Sequence, residues 1–168
     1  MVDIMQSGSP LPGDTITEER VSISASADMA RYSLRGRDAA VLAAAIGREL
    51  PTGIGGCVNG IMQLGPDEFY ALLPAGEALP LGEGQPVSVV DVSSRAVGIV
   101  VEGPGAAELI MSGCPLDLSK MAPGRATRTI YETTEIIVLR ESETRFRIDV
   151  WRSFATWLWA SLAGAAAE

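Results

Sequence analysis

The chain has 168 residues, 47% of them hydrophobic and 20% charged, the composition of one globular domain with a real core rather than of a disordered or fibrous segment. Its formal net charge of −8, with Lys120 the only lysine, argues against a nucleic-acid partner, because holding phosphate needs an excess of Lys and Arg. There is no histidine, which removes His-based acid–base catalysis, Ser-His-Asp and Cys-His nucleophile pairs, and the commonest metal ligand.

Residues 1–19 are rich in Ser, Pro, Gly and Asp, lack periodicity, and read as a disordered N-terminal arm. They show no charged start followed by an apolar core, so a signal peptide is not expected. No apolar run in the chain reaches the roughly 18–20 residues of a membrane span, and the expectation is a soluble, cytoplasmic protein without a membrane partner. Val21–Ser26 alternates apolar residues with Ser, and Ala30–Arg35 follows as a second strand. Gly36 opens a helical pattern with Ala39, Leu42, Ala43, Ile46 and Leu50 on one face, ended by Pro51. After the turn Gly53-Ile54-Gly55-Gly56, the runs Cys57–Leu64 and Phe69–Leu73 make a hairpin through Gly65-Pro66-Asp67-Glu68.

Residues 74–86 hold three Pro and three Gly, and read as a turn-rich connector. Val87–Val92 and Arg95–Glu102 are strands. Gly103-Pro104-Gly105 then turns the chain into a helix near Ala106–Ser112, which Gly113 and Pro115 end. Thr127–Tyr131, Glu135–Arg140 and Arg145–Val150 are strands, and Trp151–Ala163 is a helix. Spacing puts Trp151, Phe154, Leu158 and Leu162 on one face of that helix, the one expected to dock. Trp157 and Trp159 flank the stripe as core edge or as part of a partner interface, and both are expected to contribute to a subunit contact.

A repeat organises this order. Tyr32–Ala40 aligns with Ile99–Ala107 at a constant offset of 67 residues, Gly36 falling on Gly103 and the pair Ala39-Ala40 on Ala106-Ala107. In both copies a strand ends at Gly, where the backbone turns sharply, and small Ala residues let the helix lie close on its sheet. The fold class expected is α+β: two related βαβ-type, ferredoxin-like halves with helices packed on mainly antiparallel sheet. The division expected is an arm over 1–19 and a single domain over 20–168, built of pseudo-repeats at about 20–75 and 86–163.

A search for chemistry finds no catalytic, cofactor-binding or metal-binding set. Gly53–Gly56 misses both phosphate-loop spacings and precedes a strand, so it reads as a turn. Asp91-Val92-Ser93-Ser94-Arg95 gathers a carboxylate, two hydroxyls and a guanidinium, but neither serine has a base, and an Asp-centred turn accounts for the cluster. Cys114 sits at a helix C-terminus, where the dipole disfavours thiolate. With Cys57 it makes no zinc-type pair; the two could bridge, though two reduced, buried thiols are expected. Asp67, Glu68 and the acidic run Glu132–Glu143 show no pairing in sequence that shifts a pKa. Arg152 fits a sheet-edge cap or a docking site equally well.

Three segments in order, Gly65-Pro66-Asp67-Glu68-Phe69-Tyr70, then Asp91–Leu118 (DVSSRAVGIVVEGPGAAELIMSGCPLDL), then Arg152-Ser153-Phe154-Ala155-Thr156-Trp157-Leu158-Trp159, resemble the gamma subunit of heterotetrameric sarcosine oxidase. The strand–Gly-Pro-x-Ala element also resembles the folate-binding domain of the glycine-cleavage T-protein. The resemblance implies a T-protein-like fold and a non-catalytic structural subunit in a flavoenzyme complex that demethylates sarcosine, or a related N-methyl amine, with one-carbon transfer to tetrahydrofolate. It implies that this chain binds no cofactor itself, and that FAD, FMN, NAD and tetrahydrofolate are held by partner subunits of a heterotetramer. Two positions depart from the family pattern: the 74–86 connector replaces a helix, and Ser94 stands where His is usual. The alternative reading is a stand-alone folate-binding, one-carbon-transfer protein or a small-ligand regulatory module.

Overall fold

The computed structural model describes residues 8–168, and within them eleven strands and three α-helices form two stacked sheets with helices on the outer faces. The first sheet runs β4 (Cys57–Val58), β5 (Ile61–Gly65), β6 (Glu68–Pro74), β3 (Met29–Arg35), β7 (Ser88–Asp91). The second runs β1 (Ile16–Thr17), β2 (Ser22–Ala25), β8 (Ala96–Glu102), β11 (Arg145–Trp151), β10 (Thr134–Ser142), β9 (Ala126–Tyr131). All neighbours are antiparallel. α1 (Ala39–Ile46) carries the chain from β3 towards β5, with β6 filling the gap between them. α2 (Ala106–Met111) stands likewise between β8 and the strands that lead to β10, with β11 inserted. Each half is therefore a split βαβ unit, the α+β arrangement the sequence predicts.

The 67-residue offset holds in space. Shifting Met29–Arg35 by 67 gives Ala96–Glu102, the bounds of β8, and shifts Ala39 onto Ala106, the first residue of α2. The leading strands, however, are exchanged. β2 precedes β3 in sequence but pairs with β8, and β7 precedes β8 but pairs with β3. The boundaries 20–75 and 86–163 thus divide the sequence and not the structure. The reason is stacking: with the sheets face to face, the short link Ser26–Asp28 steps across to the other sheet, and Ser26 N–H bonds the Gly98 carbonyl at 2.8 Å as it leaves.

Strand alternation sorts the layers. Ala30, Tyr32 and Leu34 of β3 and Phe69, Ala71 and Leu73 of β6 pack on Leu42 and Ile46 of α1. On the second sheet Val97, Ile99 and Val101 of β8 and Phe146, Ile148 and Val150 of β11 pack on α2 and on α3 (Arg152–Ala166). Asp38 caps α1 by accepting the N–H groups of Ala40 and Val41 at 2.9 and 3.3 Å. That helix ends before the expected Pro51, because Gly47 adopts the left-handed conformation (φ 65°) at its C-cap.

Two expectations are corrected here. The arm is docked from residue 8 onward: Leu11 is buried in the second core, Ile16 and Thr17 pair with Ser22 and Ile23, and Thr156 Oγ1 donates to the Pro10 carbonyl. Leu11 and Ile16 supply the apolar anchors that the surrounding polar composition hides; the rest of the expected arm, residues 1–7, lies outside the described residues. In α3 the buried face is Ala155, Leu158, Trp159 and Leu162, spaced i, i+3, i+4, i+7, while Trp151 and Phe154 are partly exposed. Trp151 belongs to β11, whose pairing with Ala96 fixes its direction, so it cannot join the helical stripe.

Candidate functional site

The inner faces of the two sheets press together through a mostly apolar layer that includes Met62, Tyr70, Leu72, Val92 and Ala126, with Ile137 and Leu139 against it. Two opposite charges lie within that layer. Arg31 Nε donates to Asp149 Oδ2 at 2.8 Å and Nη2 to Oδ1 at 2.9 Å, a bidentate pair across the sheets. Tyr70 Oη donates to Oδ2 at 2.7 Å, and Arg31 Nη1 to the Met29 carbonyl at 3.1 Å. The side chains of Arg31 and Asp149 are only 4% and 2% exposed. Burial alone would lower the Arg31 pKa, but the hydrogen bonds and charge of Asp149 outweigh it and hold the guanidinium above its ordinary value. Burial first, then the Asp149 charge, pushes the Tyr70 phenol far above its ordinary range. Arg31 is therefore a fixed cation and Tyr70 a fixed donor, both locked onto the Asp149 carboxyl group.

Beside this triad a cleft opens between the sheets, lined by Ser33, Val92, Ala96, Ile137 and Trp151 as well as Tyr70 and Asp149, with Arg128 and Glu135 also in its wall. Near it, Ser93 Oγ accepts the Arg31 backbone N–H at 2.9 Å, and Asp91 Oδ1 accepts the Ser93 N–H at 2.8 Å. The Asp91–Arg95 cluster is thus a turn that pins β3 to the start of β8. Hydrogen bonds from Ser93 hold the Asp91 carboxyl below the usual carboxylate range.

Other residues singled out from sequence lie apart from the triad. Gly55 has φ 86°, Gly56 N–H donates to the Gly53 carbonyl at 2.9 Å, and Arg125 Nη2 donates to the Ile54 carbonyl at 2.9 Å, so this turn clips the first sheet to the start of β9. Cys57 and Cys114 are both free thiols. Burial pushes the Cys57 thiol up, away from a reactive thiolate. Arg152 donates to the Gly8 carbonyl. Trp159 is 7% exposed, so the expectation that it faces a partner is corrected; Trp157 is 39% exposed and packs edge-on against Tyr131 at 6.2 Å.

Two of the acidic residues, Glu68 and Glu141, have pairings that shift a pKa after all. Glu68 accepts from Arg128, whose hydrogen bond and charge, with the charge of Arg35, outweigh burial and hold its pKa below the ordinary value. Glu141 is partly buried, which alone would raise its pKa, yet Arg147 and Arg145, both at 2.7 Å, hold it low. Arg145 and Arg147 come from the neighbouring strand and Arg128 from the facing sheet, and the sequence prints neither strand register nor sheet stacking. Among the described residues no group of three or more His, Cys, Asp or Glu is placed to hold a metal, and no helix is long and apolar enough to cross a membrane.

Sequence reasoning missed Arg31, Tyr70 and Asp149. A signal was present: alternation puts Arg31 on the face opposite Ala30 and Tyr32, and Asp149 on the face opposite Ile148 and Val150.

Residues 34–168 match the model of the Sarcosine oxidase, gamma subunit family. The chain belongs to that family. The sarcosine oxidase gamma subunit of Arthrobacter sp is 35% identical over 116 residues, which is 62% of this chain and 57% of the relative. That of Corynebacterium sp. (strain U-96) is 35% identical over 122 residues, 65% and 59% respectively. The chain therefore spans less than two thirds of the length of these curated relatives. A chain of the heterotetrameric sarcosine oxidase from Corynebacterium sp. U-96, solved in complex with pyrrole 2-carboxylate, superposes with a TM-score of 0.80 at 31% identity, over 91% of this chain and 87% of that one. The glycine cleavage system aminomethyltransferase T from Bartonella henselae superposes with a TM-score of 0.67 at 16% identity, over 86% and 46%, and shows the shared fold alone. For a gamma-family chain, then, the T-protein-like layering is the framework into which the Arg31–Asp149–Tyr70 lock is set.

Proposed function

We propose that this chain is a structural subunit of a heterotetrameric, sarcosine-oxidase-like flavoenzyme of the cytoplasm, and carries no active site of its own. The complex removes the N-methyl group of sarcosine, or of a related N-methyl amine, oxidatively and passes the one-carbon unit to tetrahydrofolate. FAD, FMN, NAD and tetrahydrofolate sit on the partner subunits. Family membership supports the setting, and the observation that carries the structural role is the triad. The charged groups between the sheets neutralise one another at 2.8–2.9 Å, and with the Tyr70 hydroxyl at 2.7 Å they hold the two sheets together. An acid–base catalyst needs a group tuned toward neutral pH, whereas Arg31 and Tyr70 are both pushed further from it.

Co-expression with affinity-tagged larger subunits tests this: the chain should co-elute with them in fixed stoichiometry, and a chain found only in the flow-through sinks the reading. The T-protein-like fold keeps one rival in view, a stand-alone folate binder. Calorimetry with tetrahydrofolate separates the two, since saturable micromolar binding by the isolated chain favours the rival.

A further inference from the structure

We propose that a larger subunit of the complex docks on the end of the second sheet where β9 and β11 stop and β10 starts, together with the first turns of α3. The inference rests on the proposed membership of a heteromeric complex and deepens it by naming the face. Ile130 (43% exposed), Trp151 (38%), Phe154 (47%) and Trp157 (39%) all lie there. Ile130 pairs with Glu135, and Ile136 with Val150, so Ile130, Glu135 and Trp151 form one row across three strands. The row belongs to the inner face of the sheet, which the first sheet covers further along, at Ile137 and Leu139, and leaves bare here. Phe154 and Trp157, three residues apart, carry the patch round onto α3, where the Tyr131 ring braces Trp157.

Single exposed apolar side chains are ordinary on a protein surface; a contiguous set of ordered aromatics is not. Trp151 also lines the apolar cleft with Val92, Ala96 and Ile137, so the patch offers a hole as well as knobs, the composition of an interface centre.

Charge selects the occupant. Among the described residues Glu135 has one ion-pair partner, the distant Arg128, whose Nε is 3.7 Å away and whose terminal nitrogens bond Glu68. A second copy would bring the same Glu135 and the same net charge of −8 to the contact. The partner that fits is a different polypeptide, presenting an apolar side chain to the cleft and an Arg or Lys to Glu135.

The test measures binding of the full chain to immobilised larger subunits. Three variants are compared with wild type: the double variant Ile130→Glu/Phe154→Glu, the exposed single variant Glu135→Arg, and Ile54→Glu near the other end of β9. The first two should each lose about tenfold or more in affinity with unchanged thermal midpoints, and Ile54→Glu less than about twofold. Should wild type bind while Glu135→Arg and the double variant bind equally well, the docking face is wrong and complex membership stands. Failure of wild type itself to bind defeats both. A wild-type homodimer that Glu135→Arg dissociates, seen by sedimentation, overturns the choice of occupant.

Discussion

Arg31 and Gly98 hold the same position in the two halves, 67 residues apart, and meet between the sheets: a Cβ on Gly98 would lie 3.4 Å from Arg31 Nη2. The pseudo-symmetry is broken at its centre, one half supplying the guanidinium and the other the space for it. Crowding is tighter still towards Ser26, whose Cβ would be 2.7 Å away. Gly98→Ala should therefore destabilise the fold by about 1–3 kcal/mol. Adding Ser26→Gly should restore part of the loss, and equilibrium urea unfolding of the single and double variants measures both. An additive double variant would show that the clash with Ser26 is not the cause.

Removing one member of the buried pair strands the other. Asp149→Ala should cost about 3–5 kcal/mol, whereas the triple change Arg31→Met/Tyr70→Phe/Asp149→Leu should come much closer to wild type. Urea midpoints at neutral pH distinguish the two cases. Equal losses would mean that the layer depends on the shape of these side chains and not on their charge balance.

Acid sensitivity follows from Glu68 and Glu141. Arg128 holds Glu68 low, and Arg147 and Arg145 overcome burial to do the same for Glu141, so the folded pKa of each lies below its unfolded value of about 4.3. Their contribution is complete above that unfolded value and is lost as pH falls through the folded values. The urea midpoint should drop as pH is lowered below about 4.3, and Glu141→Gln should flatten that drop while lowering the plateau near neutrality. An unaltered pH profile in Glu141→Gln removes Glu141 from the account.

The docked face of α3 can be read by two truncations. Leu158 is fully buried and Phe154 is 47% exposed. Leu158→Ala should cost about 2–5 kcal/mol, and Phe154→Ala of the isolated chain about 0.5 kcal/mol or less. Comparable losses would return Phe154 to the core face.

What could be read from the sequence was whatever depends on neighbours along the chain. Gly-Pro-Gly after a strand and the paired alanines announced the strand–helix order and the repeat, because turns and first turns of helices are local choices. Trp151 misled because a helical period was extended one residue into a strand, where Cβ direction alternates instead. The pairing of Arg31, Asp149 and Glu141 was out of reach for another reason. Their partners lie on other strands, 118 residues away for the Arg31–Asp149 bond, and only register brings them together. The exchange of β2 and β7 was hidden likewise, since each strand precedes a sequence neighbour with which it does not pair.

That exchange sets an order of events during synthesis. β2 emerges among the first strands, yet its partner β8 ends at Glu102, and the edge that β7 closes on β3 waits until Asp91 has been made. Neither sheet can be completed while only the N-terminal half of the chain has left the ribosome. The early segment Ser22–Ala25 can pair with Ile16–Thr17 alone, and its other edge stays open to other nascent strands until β8 arrives. A slow stretch of translation between residues 75 and 95 would lengthen that exposure, and a circular permutant starting in the 75–87 connector would make β8 before β2 and reverse which strand has to wait.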